Sequence, residues 1–334
     1  MSWPPSSVAR MITRRTALTA ISTAGFQPAL MAQGAWPDRP IRLVVPYPPS
    51  GTSDNVGRLV AERLSALLNA NVLVDNRPGG TTQVGTELVY RAPPDGNTLL
   101  LGALTAFTVL PHLRKKLPYD AHLGFEVVGG IADYLALVCV RKELGVTTLA
   151  DFVKLAKDRP GKLTFGSAGI ASFGHIAGEI LKTETKIDML HVPFKGSADA
   201  ANAMLGGHID VMIDGAPLPL AKAGRVVPLA TFSARRHPEL PQVPSMPETG
   251  LSIRVNETPG WGLFAPKGTP PAIINRLAKA LQTLLAEPDT KAKLQRMSTV
   301  SAWMTGSDLS KAIDSDHRFY STLLPAIGLR PEDG

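Results

Sequence analysis

The sequence predicts an α/β protein built as two units. Short apolar runs repeatedly end in loops rich in Pro and Gly. Most of those loops open a segment whose apolar residues recur with a helical period. The alternation occurs twice, over residues 41–101 and again from about 135. Strand, loop, helix and strand in that order is what a parallel sheet with crossover helices requires. A chain of 334 residues, 44% apolar and 19% charged, holds enough material for two ordinary cores.

Ile41–Val45 is an apolar run stopped by Pro46, a buried strand. The following helix places Val56, Leu59, Val60, Leu64, Leu67 and Leu68 on one face. Val72–Val74 is the next strand. A Gly-rich loop, Pro78–Thr82, then leads to a helix bearing Val84, Leu88 and Val89, and Thr98–Leu101 is a third strand. In the second run Leu135–Val140 reads as a strand. Thr148 and Asp151 form the start of a helix carrying Leu149, Phe152, Val153 and Ala156, and Arg159-Pro160-Gly161 ends it. Strands at Leu163–Phe165, Met189–Val192 and Val211–Ile213 alternate with helices at Ser172–Lys182 and Ala198–Leu205. Thr269 as N-cap and Pro270 at the first helical position open a long helix, and helices near 289–297 and 308–324 end the chain.

Residues 1–35 contain Arg10, Arg14 and Arg15 and no acid. A charged start, a short apolar stretch and small residues at Ala29, Ala32 and Gly34 form a cleavable export signal, too short to span a bilayer. Thr13–Leu18 is similar to a twin-arginine signal, with Ala17 where an aromatic or Leu is usual. The formal charge of +7 first suggests nucleic acid. Taking three of the 35 basic residues and none of the 28 acidic ones away with the leader leaves about +4, with no basic block for a polyanion. One cysteine, Cys139, rules out an internal disulfide framework or a Cys-cluster metal site; within an apolar strand it is a buried, inert thiol.

Two loops carry the chemistry. Tyr47-Pro48-Pro49-Ser50-Gly51-Thr52-Ser53-Asp54 joins a strand end to a helix start, where unpaired backbone N–H groups favour an anion. Ser50, Thr52 and Ser53 add hydroxyls, Gly51 admits a ligand to the backbone, and Asp54 either caps the helix or faces the ligand. Phe165–His175 repeats the arrangement with Ser167, Gly169, Ala171 and Ser172; Phe173 either walls a pocket or packs in the core. Two such loops facing each other make a cleft for a carboxylate. Neither a P-loop nor Gly-x-Gly-x-x-Gly is present. Catalysis finds no support, since Ser167 lies outside Gly-x-Ser-x-Gly and His175 with Glu179 lacks a third metal ligand. Asp210 and Asp214 flank a strand as caps or pocket acids, and Lys195 attracts an anion or is merely solvated. No cofactor and no metal are expected.

Read in order, these segments resemble the Bug family, the extracytoplasmic solute receptors of the tripartite tricarboxylate transporter system. The match runs from Trp36 to about Leu329. It includes Trp36–Pro46, the Tyr47–Asp54 loop, Asp75–Gly79, Pro94–Leu100, Leu117–Asp120, Arg159–Leu163, His175–Glu179, His191–Ser197 and Gly262–Pro270. The resemblance implies a type II periplasmic-binding-protein fold, two lobes with a ligand cleft between them. Lobe 1 is expected over 36–138 plus 262–334 and lobe 2 over 139–261, with crossovers near Leu135–Val140 and Gly262–Ala265.

It further implies no enzymatic activity. The receptor is expected to be a periplasmic monomer that closes on a small carboxylate and passes it to a two-component membrane permease. The binding residues expected are Tyr47, Ser50, Gly51, Thr52, Ser53, Asp54, Thr105, Ser167, Gly169, Ala171, Ser172, Phe173, His175, Lys195 and Asp214. Several positions depart from the family pattern: Pro49-Ser50 stand where Ala-Gly is usual, and Thr81-Thr82 replace a Gly pair. The Ile170–Phe173 stretch is also more apolar, and no Asn follows Asp214. These changes favour a carboxylate with an apolar or aromatic body over citrate-like polyacids. An exported α/β hydrolase and a solute sensor without its own permease are the rival readings. A transcription regulator's ligand domain would instead carry a helix-turn-helix at the N-terminus.

Overall fold

The computed structural model describes Met1 and residues 36–194, 196–255, 258–297 and 299–331. The expected export signal, residues 1–35, and Lys195 therefore lie outside the described residues, Met1 apart.

The first run gives β1 (Ile41–Val45), α1 (Thr52–Leu68), β2 (Val72–Asn76), α2 (Gln83–Tyr90), β3 (Thr98–Ala103) and the single turn α3 (Thr105–Thr108). The next strand, β4 (Phe125–Tyr134), has no counterpart in the sequence expectation; β5 (Leu137–Arg141) follows after two residues. Then come α4 (Leu149–Asp158), β6 (Leu163–Ser167), α5 (Phe173–Thr185), β7 (Met189–Pro193), α6 (Ser197–Leu205), β8 (Val211–Asp214), α7 (Leu218–Lys222) and β9 (Val226–Thr231). The chain ends with β10 (Trp261–Pro266), α8 (Pro271–Ala286), α9 (Pro288–Arg296), β11 (Thr299–Thr305) and α10 (Gly306–Ala326).

The strands form two sheets. One has the order β11-β4-β10-β3-β1-β2, the other β7-β6-β8-β5-β9. Each is mixed, not purely parallel as the strand–helix alternation suggests. β1 pairs in parallel with β2 and β3, whereas β10 runs antiparallel to β3 and β4, and β5 antiparallel to β8 and β9. Antiparallel pairing involves the strands next to the two crossings between sheets and, at the edge, β11 against β4. The first crossing is the Leu135-Ala136 step, so the expected break after 138 falls inside β5, which belongs wholly to the second sheet. The second crossing is the segment from Phe232 to Gly260.

Side chains cap three helices, the first of them as expected at Thr148. Thr148 accepts the Asp151 N–H, Ser172 that of His175, and Thr305 that of Asp308. At α8 the expectation fails by one residue. Pro270 is the N-cap and Pro271 the first helical residue, because Thr269 donates its hydroxyl back to the Pro266 carbonyl. Lobe 1 packs around Phe107, Phe125 and Phe264, with Phe107 stacked on Phe264 at 4.3 Å. Lobe 2 packs Phe152, Phe165 and Ile180 against β5 and β8. Helix α10 serves both, placing Leu309 and Ile313 in the first core and Tyr320, Leu323 and Leu324 in the second. Cys139 is fully buried, and burial pushes its thiol far above the usual range, as an inert strand residue requires. No helix among the described residues is long and apolar enough to cross a membrane.

Candidate functional site

A cavity of about 530 Å³ lies between the sheets, lined by residues of both lobes. Its polar side is made by helix starts. Thr52 and Ser53 come from α1, Ser172 and Phe173 from α5, and Ser197 from α6. Neither α1 nor α6 has a side chain capping its first turn, since their N-caps are Gly51 and Gly196. Three helix N-termini with hydroxyls beside them are a ready site for a carboxylate.

Aromatic rings line the cavity beside these helix starts. Tyr134 meets Phe173 edge to face at 5.6 Å and Trp261 at 6.2 Å, and Phe232 stands 6.2 Å from Phe173. All four line the cavity. Phe173 thus both walls the pocket and packs against the lobe 2 core.

Of the residues expected to bind, Tyr47, Thr52, Ser53, Thr105, Ala171, Ser172, Phe173 and Asp214 line the cavity. Tyr47 is hydrogen-bonded to Thr105, which draws its pKa down, but burial dominates and pushes the phenol up to about 12. The Trp261 Nε1–H donates to Ser53 Oγ at 3.0 Å, fixing the hydroxyl. Asp214, 4% exposed, accepts from the Tyr134 hydroxyl (2.6 Å), Ser197 Oγ (2.9 Å) and the Ala216 N–H (3.0 Å).

Ser50, Gly51, Asp54, Ser167, Gly169 and His175 support the loops and stand outside the cavity lining. Asp54 accepts the Ser50 N–H at 2.8 Å, Arg58 Nε at 2.9 Å and Asn76 Nδ2 at 2.9 Å. Burial raises its pKa, yet these donors outweigh burial and hold the carboxyl below its usual range. It braces the first loop and is not among the residues that line the cavity. Ser167 is fully buried, donates to the Gly169 carbonyl (3.0 Å) and stands 2.7 Å from His191 Nε2. His175 Nδ1 accepts the Ala171 N–H at 3.0 Å, and its ring stacks on His191 at 3.9 Å. Glu179 pairs with Lys182 at 3.0 Å, and no group able to hold a metal occurs among the described residues. Asp210 is a structural partner of Arg141 and Thr164.

Sequence reasoning missed Asp133, Tyr134, Thr81, Ser197, Phe232, Thr258 and Trp261, all in the lining. Asp133 and Tyr134 end the unpredicted β4. Phe232 and Thr258 lie on the second crossing, where no periodic signal exists.

The family departures have a backbone consequence. Ser50, Thr81, Thr82 and Ala171 all adopt positive φ, at 71°, 53°, 80° and 61°. Non-glycine residues there carry strain of roughly 1–2 kcal/mol each. Thr81 and Ala171 line the cavity and Ser50 and Thr82 lie within two residues of lining positions, whereas Asn69 and Lys186, the other two among the described residues, are ordinary helix C-caps. Ser50→Gly is expected to raise stability by about 0.5–1 kcal/mol, after the entropic cost of glycine is set against the relieved strain. A urea midpoint equal to or below that of the native chain contradicts this.

Two α/β sheets enclosing a cleft at their helix N-termini define a solute-binding receptor architecture. The chain belongs to the tripartite tricarboxylate transporter receptor family, whose model matches residues 56–329. It is 34% identical over 296 residues to a UPF0065 protein encoded in the tcbD-tcbE intergenic region of Pseudomonas sp. strain P51, covering 87% of this chain and 88% of that one. Among solved structures, an R. palustris protein with adipate superposes with a TM-score of 0.76 at 30% identity, covering 89% of this chain and 100% of its own. MatC from Rhodopseudomonas palustris with bound malate gives 0.69 at 26% identity, covering 86% and 99%. The protein is accordingly a periplasmic-type solute-binding receptor of this family and not an enzyme.

Proposed function

We propose that this receptor is exported through its twin-arginine-like signal and works as a periplasmic monomer. It captures a small carboxylate with an apolar or aromatic body and delivers it to a two-component permease. The observation that carries this reading is the cavity's two-sided lining. The helix starts at Thr52–Ser53, Ser172–Phe173 and Ser197 suit a carboxylate, and Tyr134, Phe173, Phe232 and Trp261 suit an apolar body. Two of the similar structures hold carboxylates, adipate and malate, which supports the carboxylate part of this reading. Lobe closure around the crossings at 135–136 and 232–260 is the working motion.

A thermal-shift series on the processed protein tests the reading. A monocarboxylate at about 100 times its dissociation constant is expected to add about 2.7 kcal/mol of stability. Stabilisation by citrate but by no monocarboxylate or aromatic acid overturns the preference stated here. Hydrolysis of an ester without any acid-induced shift overturns the receptor reading itself.

A further inference from the structure

The cavity's charges are one-sided. Asp133 and Asp214 both line it, and no Lys, Arg or His does so among the described residues. Asp214 is already met by three donors, so it contributes chiefly its negative field. Asp133 differs: one oxygen accepts the Tyr134 N–H at 2.8 Å, and its second oxygen has no hydrogen-bond partner among the described residues. The base whose field reaches Asp133 is Arg235, which is exposed and lines a separate groove beside α8 and β11. Burial outweighs both influences and pushes the Asp133 carboxyl up to about 6. With no cation beside it in the cavity lining among the described residues, this carboxyl is stabilised by a positive charge brought to it.

The rings of Tyr134, Trp261 and Phe173 line the same cavity as this acid. Aromatic faces attract ammonium groups, most strongly when water is excluded. A second ligand carboxylate placed beside Asp133 meets an acid with no cation in the lining among the described residues, a repulsion that selects against it. Resting on the carboxylate-receptor reading above, we infer that the solute is a zwitterion. Its carboxylate lies at the helix starts, and its ammonium group faces the Asp133 carboxyl.

Calorimetry on the processed protein at pH 7.5 tests this with three matched series of four to eight carbons: unbranched monocarboxylates, ω-amino acids and α,ω-dicarboxylates. At the best-fitting length the amino acid is expected to bind about tenfold or more tighter than the plain acid, the size of one desolvated cation–π or charge contact, with the dicarboxylate weakest. Asp133→Asn is expected to cut the ratio of amino-acid to plain-acid affinity to about twofold or less, the charge contact being lost. The wild-type ranking stands as a test even if that variant folds poorly. A dicarboxylate that binds as tightly as the amino acid overturns the inference, as does a plain acid that equals it. If no member of any series binds, the carboxylate-receptor reading of the cavity falls as well. Binding of plain acids with no gain from the ammonium removes this inference alone.

Discussion

Asp214→Ala is expected to cost about 3 kcal/mol of stability and to weaken solute binding by about tenfold or more. The carboxylate joins the lobes at the cleft. Tyr134 ends β4 in the first sheet, whereas Asp214 ends β8 in the second, and the hydroxyl donates across to Oδ1 at 2.6 Å. The Gly215 N–H returns a bond to the same hydroxyl at 2.8 Å. Glycine is needed there, since a Cβ at 215 would stand 2.8 Å from the Tyr134 oxygen. Truncation to Ala strands three donors at once: Tyr134, Ser197 and the Ala216 N–H. Two of them line the cavity, so the loss reaches the ligand as well as the fold. Tyr134→Phe removes only the hydroxyl's two bonds and leaves Asp214 two donors, so about 1–2 kcal/mol is expected. Urea unfolding of both variants checks the order. A smaller loss for Asp214→Ala than for Tyr134→Phe contradicts the latch.

Local pattern made much of the fold legible. The β1 run ends at Pro46 and α1 buries Val56, Leu59, Val60, Leu64 and Leu68, as its period predicts. The strands that escaped notice are those that local pattern describes poorly. Phe-Glu-Val-Val-Gly-Gly-Ile-Ala-Asp-Tyr of β4 contains a Gly pair, which reads as a break. In the fold the pair is required by its neighbours. A Cβ at Gly129 would stand 2.7 Å from the Trp303 ring, and one at Gly130 2.9 Å from the Ala302 carbonyl. Pro228 likewise argues against a strand, yet β9 is at the sheet edge, where a missing donor costs little. Strand β11 is the other sheet's edge and is half exposed.

The site divides along the same line. Residues on the two strand-to-helix loops were legible because a helix start following a strand has unpaired N–H groups whatever the rest of the fold does. Even there, loop membership did not separate lining from support. Thr52 and Ser53 face the cavity, whereas Asp54 turns back to Ser50 and Arg58. The aromatic wall and Asp133 were invisible because topology assembles them. Tyr134, Phe232 and Trp261 are separated by up to 127 residues in sequence and meet only where the chain passes between sheets.

Stability is expected to fall as pH drops from about 6.5 to about 4, with the His175–His191 stack responsible for much of the loss. Burial above all, then the His191 ring on His175 and the nearby Lys182 ammonium on both, brings the pKa of both rings down to about 4. Glu179 is paired with Lys182 and does not offset this. In the unfolded chain both imidazoles titrate near their ordinary value of about 6.5. Between these limits the unfolded state binds protons that the folded state refuses, so stability rises with pH there and is fully present only above about 6.5. The pair accounts for about 2–3 kcal/mol, reduced from the full shift because His191 keeps a solvent-facing edge. His175 couples this to the site: its Nδ1 accepts the Ala171 N–H, and a proton on that nitrogen sets donor against donor. Ala171 and Ser172 line the cavity, so the loop beside the proposed carboxylate site is expected to loosen over the same range. His112 and His317 are also depressed, so the pair must be isolated by substitution. His191→Gln keeps a polar partner for Ser167 and removes one titrating ring and its field on the other. The loss of urea stability between pH 7 and pH 4.5 is then expected to shrink by about half of the pair's share. Equal losses in the variant and the native chain show that the stack does not set the acid limit.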